Sequence, residues 1–146
     1  AAVFDLLQDP LVMRFIGPRR ALNAQEAADW FAKQRLTGGR FAFRHRLNGD
    51  IVGFCGISQQ QGCADFGYFL RRCYWGQGLA QIMCQQSIAQ LAATTDFSQV
   101  LVFIAQQNVA SVKLAQRLGW QKTVASDNAF EQGHLYRITP NATGTL

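Results

Sequence analysis

The sequence predicts an α+β domain on a mixed, mostly antiparallel sheet flanked by helices, and three observations carry that reading. Three strand-like runs follow one another between Phe41 and Leu70, joined at Asn48-Gly49 and at the polar stretch Gln59-Gln60-Gln61-Gly62. Apolar residues at helical spacing stand on either side of them, at Ala27, Trp30 and Phe31 and again at Ala80, Cys84, Ser87, Ile88 and Leu91. The run Val100-Leu101-Val102-Phe103-Ile104-Ala105 shows no polar alternation, as a strand covered on both faces would; it is expected to be central and parallel to the strand before it.

In chain order, Phe4 to Ile16 has mixed helical spacing broken by Asp9-Pro10, which predicts two short helical pieces ended by Gly17-Pro18. Asn23 with Glu26 three residues on forms a capping box, opening a helix over Ala24 to Leu36 that Gly38-Gly39 stops. Phe41, Phe43 and Leu47 alternate with Arg44 and Arg46, and Ile51 to Ile57 returns as the second arm of a hairpin. Ala64 to Leu70 completes an antiparallel meander. A helix from Gly78 to about Ala93 precedes the apolar run. Asn108 stands at a helix cap, Leu114 and Leu118 stack one turn apart, and Gly119 follows the last turn. Trp120 to Val124 and Leu135 to Ile138 read as closing strands around Ser126 to Gly133, with a tail from Pro140.

Composition narrows the class. A chain of 146 residues with 49% apolar and 16% charged residues suits one compact domain, residues 1–146, and no repeat or linker divides it. No run of about 18 apolar residues and no secretory leader pattern is present, so the expectation is a cytoplasmic protein without a membrane partner. Cys55, Cys63, Cys73 and Cys84 lack metal-site spacing, and reduced thiols with no metal are expected. The net charge of +5 rests on eleven Arg against three Lys, scattered except at Arg19-Arg20 and Arg71-Arg72. A nucleic-acid binder usually shows a denser basic stripe, whereas this mild anionic preference would equally serve a phosphate-bearing small molecule, and charge alone does not choose.

One segment carries chemistry. In Arg71-Arg72-Cys73-Tyr74-Trp75-Gly76-Gln77-Gly78-Leu79-Ala80 a strand feeds a helix through two glycines. The first helical N–H groups lack partners there and lie at the positive end of the helix dipole, so such a turn binds phosphate. Glycine is also the default of any tight turn, so the pair alone is not decisive. No glycine is followed by Lys, which excludes a P-loop, and Gln81 stands where a dinucleotide fingerprint needs its third glycine.

Taken together the motifs resemble the GNAT superfamily of acyl-CoA N-acetyltransferases, in particular the ribosomal-protein N-terminal acetyltransferase (Rim-type) branch. The resemblance runs from Asp9-Pro10-Leu11-Val12-Met13-Arg14-Phe15-Ile16-Gly17 through Ile51-Val52-Gly53-Phe54-Cys55-Gly56-Ile57 and Phe66-Gly67-Tyr68-Phe69-Leu70 to Tyr74-Trp75-Gly76-Gln77-Gly78. It continues in Asn108-Val109-Ala110-Ser111 and ends at Leu118-Gly119-Trp120. It implies acetyl-CoA as cosubstrate, laid between splayed parallel strands at Ala64 to Leu70 and Val100 to Ala105. The implied cofactor contacts are Phe69, Leu70, Arg71, Gly76, Gln77, Gly78, Leu79, Ala80, Asn108 and Ser111. The acceptor would be a small amine or a protein N-terminus that attacks the thioester directly in a ternary complex, with the protein a monomer or homodimer.

The same resemblance assigns roles in catalysis. The amide near Leu70 would face the acetyl carbonyl, where one donor to a developing oxyanion is worth about 3 kcal/mol. Transfer also needs a base for the amine and an acid for the departing thiolate. Many relatives place a Tyr where this chain has Ala115, so Ser111 is the candidate donor, with Tyr68 and Tyr136 as alternatives. Asp65 is the candidate base, with Glu131 and His134 as alternatives; His45, on the face of Phe43 and Leu47, reads as structural. Cys73 and Trp75 depart from the family's usual residues, which leaves backbone contacts intact but removes side-chain ones. Direct transfer, and the absence of a base beside it, argue against an acetylated Cys73. Relatives also begin with a strand, whereas Ala1 already lies in the helical region. Without the Tyr at 115, a non-catalytic acyl-CoA-binding module is the alternative.

Overall fold

The computed structural model describes residues 2–60 and 63–139. The expected turn at Gln61-Gly62 and the tail from Pro140 lie outside the described residues. The two short helical pieces are α1 (Ala2–Leu7) and a single 3₁₀ turn, Met13–Phe15. Helix α2 (Ala24–Thr37) begins with the capping box: Glu26 N–H donates to Asn23 Oδ1 at 2.8 Å and Asn23 N–H to Glu26 Oε1 at 3.0 Å.

Strands β1 (Arg40–Arg44), β2 (Ile51–Gln60) and β3 (Cys63–Leu70) form the antiparallel meander in that order. The first arm of the hairpin ends sooner than its alternation predicts. His45 N–H donates to the Asp50 carbonyl and Gly49 N–H to that of His45, which closes the loop and leaves Leu47 89% exposed. Helix α3 (Leu79–Leu91) follows, then β4 (Leu101–Ala105), α4 (Val109–Arg117), β5 (Gln121–Asp127) and β6 (Gln132–Arg137). The second sheet has the order β4-β6-β5 and is antiparallel throughout. Gly119 follows α4 with φ +74°, the left-handed residue that ends the helix.

The expected splay appears as a break between the two three-stranded sheets: β3 and β4 approach each other but share no ladder, so β4 is the edge of its own sheet and not the central strand its apolar run predicts. Packing replaces the missing hydrogen bonds. Phe66 of β3, 2% exposed, meets Phe97 edge-on ahead of β4 (6.4 Å between centroids) and Trp120 ahead of β5 (5.8 Å). A fully buried Phe of this kind contributes about 1.5–3 kcal/mol.

The first sheet separates two cores. On one face, Phe54 and Phe69 pack with Leu6, Leu7, Ala27 and Trp30 from α1 and α2. On the other, Cys55, Ile57, Phe66 and Leu70 pack with Met83, Cys84 and Ile88 of α3 and with the second sheet. Side chains alternate across a strand, so β3 sends Asp65, Gly67 and Phe69 to the α2 face and Phe66, Tyr68 and Leu70 to the α3 face.

Candidate active site

The glycine turn is built as the sequence suggests. After the 3₁₀ turn Arg72–Tyr74, Gly76 has φ +78° and Gly78 φ +76°, conformations that side chains bearing a Cβ rarely adopt. No atom lies within 4 Å of where a Cβ would stand on either one, so the concave side is open. Gly78 is the N-cap of α3 and has no side chain to cap it, and among the described residues no side chain bonds the helix's first amides. The amides of Leu79, Ala80 and Gln81 therefore need outside partners, and a pyrophosphate fits that donor set. Trp75 braces the turn: its indole N–H donates to the Leu70 carbonyl at 2.8 Å.

The direction of the Leu70 amide follows from register. Arg71 N–H donates to Val52 of β2, and strand amides point alternately to either side, so the Leu70 N–H faces away from β2 toward the gap before β4. Phe69 turns its ring into the α2-side core and its main chain toward Phe54 of β2, the same side as the Arg71 N–H, so the cofactor contact expected at Phe69 is not placed on the gap. Arg71 is engaged elsewhere: Nε donates to Asp5 Oδ2 at 2.9 Å and Nη1 to the Ile51 carbonyl at 3.0 Å. Arg72 pairs with the buried Asp9 at 2.9 Å. Both guanidinium groups thus fasten the N-terminal segment to the end of β3. Gln77 lies exposed between the glycines.

Across the gap, Asn108 caps α4 by accepting the Ser111 N–H on Oδ1 at 3.3 Å. Ser111 Oγ lies 2.8 Å from Tyr68 Oη, so a hydroxyl from α4 meets one from β3. Burial raises the Tyr68 pKa and the Ser111 hydrogen bond opposes it. One turn on, Ala115 is fully buried. Tyr136 is packed in the core at 4% exposure.

Asp65 lies on the opposite face of β3, where burial raises its pKa against the pull of Arg40. It stands five residues before Leu70, about 16 Å along an extended strand. An acetyl group at the Leu70 amide is therefore beyond its direct reach and beyond one bridging water, and only a chain of several waters would link the two. Arg40 was not legible as a site residue. It starts β1 in register with Gly56 of β2, which in turn faces Gly67 of β3. Its Nη2 donates to Ser58 Oγ at 3.1 Å and its guanidinium lies 5.0 Å from the Phe69 ring centroid.

Glu131 is held by Arg19. Its Oε1 accepts from Arg19 Nη2 at 2.6 Å and from Nε at 3.1 Å, and both side chains are largely shielded, 17% and 14% exposed. The Arg19 bond comes first among the causes that keep the Glu131 pKa below its ordinary value. Arg19 also lies 4.5 Å from the Phe130 ring centroid and has φ +61°. The loops around Arg19 and Glu131 are thereby joined. His134 is in β6 opposite Ile104, away from this pair's contacts. His45 stacks on Tyr74 at 5.6 Å and accepts the Leu47 N–H, a structural role. A hydrogen bond to Cys55, in which the Cys84 S–H donates, and burial push the Cys84 thiol well up, which makes it a poor nucleophile. Among the described residues no group of three His, Cys, Asp or Glu is placed to hold a metal, and no helix is long and apolar enough to cross a membrane.

The family model for the acetyltransferase (GNAT) domain matches residues 1–121. The chain belongs to the GNAT acetyltransferase family. GNAT relatives agree with this. The uncharacterized N-acetyltransferase p20 of Bacillus licheniformis is 30% identical over 86 residues, 57% of this chain and 48% of that protein. The chain thus matches about half the length of that relative. A GNAT-family protein of Bordetella pertussis shares the fold with a TM-score of 0.75 at 18% identity, over 94% of this chain and 90% of that one. The acetyltransferase yncA of Salmonella typhimurium, solved with its cofactor acetyl-CoA, shares it with a TM-score of 0.72 at 14% identity, over 95% and 87%. GNAT acetyltransferases use acetyl-CoA, and the open glycine turn and uncapped α3 amides fit that cosubstrate's pyrophosphate.

Proposed function

We propose that the chain is an N-acetyltransferase of the Rim-type branch, moving an acetyl group from acetyl-CoA to a primary amine by direct attack in a ternary complex. The observation that carries this reading is the open, left-handed Gly76/Gly78 turn at an uncapped helix start, one short turn after a Leu70 amide aimed into an unpaired gap. In this reading the backbone from Gly76 to Ala80 holds the pyrophosphate and the Leu70 N–H polarises the acetyl carbonyl. Asn108 contacts the pantetheine arm through its amide nitrogen, since its oxygen caps α4. Ser111 protonates the departing thiolate, and Asp65 accepts the amine's proton through water. Base and acid then act from opposite faces of β3.

Ala115 supports a second reading, an acyl-CoA-binding module without turnover, because that turn of α4 carries no hydroxyl. One experiment separates the two. Purified protein is given acetyl-CoA with a panel of peptide N-termini, polyamines, aminoglycosides and amino acids. Thiol release and acetylated product are followed together. Release matched by product supports transfer, binding of CoA without release from any acceptor supports the module, and absence of CoA binding overturns both.

A further inference from the structure

We propose that Tyr68 is a positioning residue for thiolate protonation: its hydroxyl, reaching from β3 across the gap to α4, donates to Ser111 Oγ and aims the Ser111 hydrogen at the leaving sulfur. The inference rests on the transferase reading above.

The geometry supplies the reason. A serine hydroxyl has one hydrogen and rotates freely, so on a bare helix turn it has no fixed direction. Tyr68 Oη stands 2.8 Å from Ser111 Oγ, and either oxygen can be the donor. When Tyr68 donates, the Ser111 oxygen is filled from that side and its own hydrogen must point elsewhere. The Ser111 backbone is fixed as well, by the Asn108 cap at 3.3 Å, so the hydroxyl is oriented from both ends. Burial raises the Tyr68 pKa, which keeps the phenol protonated and able to donate through the neutral range. The contact also crosses the break where β3 and β4 share no ladder, the place the pantetheine arm is assigned. Ala115, one turn along α4 and fully buried, offers no hydroxyl, and Tyr136 is enclosed in the core. Among the described residues this is the hydroxyl pair that bridges β3 and α4.

The step balances as follows. The amine nitrogen bonds to the acetyl carbon, the carbon–sulfur bond breaks with its electron pair on sulfur, and sulfur takes the Ser111 hydrogen. Tyr68 keeps its own hydrogen throughout; the amine's proton leaves by way of Asp65 to water, and Ser111 regains a hydrogen from water once the thiol has departed, so one proton is released and one is taken up.

The test compares Tyr68→Phe, Ser111→Ala, the double variant and Ser111→Thr in the full chain, with kcat, KM for acetyl-CoA, CoA affinity and thermal midpoint measured for each. Loss of a general acid lowers rate by about 10²-fold or more, so Ser111→Ala is expected to lose about 100-fold in kcat and Tyr68→Phe about 10-fold. The double variant is expected to match Ser111→Ala within about threefold, because groups acting as one unit are not additive. Ser111→Thr, which keeps the hydroxyl and leaves the β3 core untouched, is expected to stay within about fivefold of the parent, and to lose that rate when Tyr68→Phe is added. CoA affinity stays within about threefold throughout. Tyr68→Phe with parental kcat, losses that multiply in the double variant, or a change confined to KM would overturn the proposal. A parent protein that transfers no acetyl group instead overturns the underlying transferase reading. If Tyr68→Phe fails to fold, the decision passes to the Ser111 pair: Ser111→Thr no faster than Ser111→Ala contradicts the role of an oriented hydroxyl.

Discussion

The glycine turn after β3 and the rim joined by Arg19 and Glu131 recognise by opposite means. At the turn, Gly76, Gly78 and the uncapped amides of α3 present main chain, and the neighbouring side chains are occupied elsewhere: Arg71 by Asp5 and Ile51, Arg72 by Asp9. At the rim, two loops meet through an arginine and a carboxylate, so that side chains hold it together. Backbone recognition tolerates sequence change so long as dihedral angles survive. Side-chain recognition is lost or altered by a single substitution. In the function proposed above, a cosubstrate held by main chain would leave acceptor choice to the side chains of the loops.

The sharpest way to break this comparison is at Gly78. A β-branched residue at φ +76° costs about 1–2 kcal/mol of local strain, so Gly78→Val is expected to weaken CoA binding more than about tenfold by calorimetry. Gln77→Ala, a side-chain change between the same glycines, should stay within about threefold. Equal affinity for Gly78→Val and the parent would show that the main chain is not the determinant.

Asp65 comes next. Asp65→Asn is expected to reduce kcat by about 10²-fold while CoA affinity holds. The sign of the pH effect follows from burial: Asp65 must be ionised to accept a proton, and its raised pKa places the acid limb of activity above that of a solvent-exposed carboxylate. The limb should disappear in Asp65→Asn, and a profile unchanged by the substitution assigns the base elsewhere.

The smallest effect belongs to the rim. Glu131→Gln removes the ion pair, and partly shielded pairs of this kind contribute about 1 kcal/mol or less, so the amine KM should move by no more than about fivefold. The KM for acetyl-CoA should not move. Since Arg19 holds the Glu131 pKa below its ordinary value, the pair's contribution is present at neutral pH and is lost as acid passes through that lowered pKa. A parallel change in both KM values would mean that rim and turn are coupled.

The same contrast explains what was legible in the sequence. The turn was readable because glycine at two fixed positions ahead of a helix is a local signal, and the Asn23 and Asn108 caps were readable for the same reason. Leu47 misled because alternation continued past the residue where a loop hydrogen bond ends the strand. The break between β3 and β4 came from the family resemblance, since no residue pattern marks a missing ladder. Arg40 over Phe69, Arg19 with Glu131, and the Tyr68–Ser111 contact join residues far apart in the chain, and their pairing depends on register and packing that one sequence does not display.

Trp75, fixed to the Leu70 carbonyl and 44% exposed beside the glycines, has an optical consequence. The other two indoles, Trp30 and Trp120, sit within the packed layers. Trp75 is thus a native fluorophore on the rim of the anion cradle, and its emission gives a label-free titration signal for CoA that Trp75→Phe would silence.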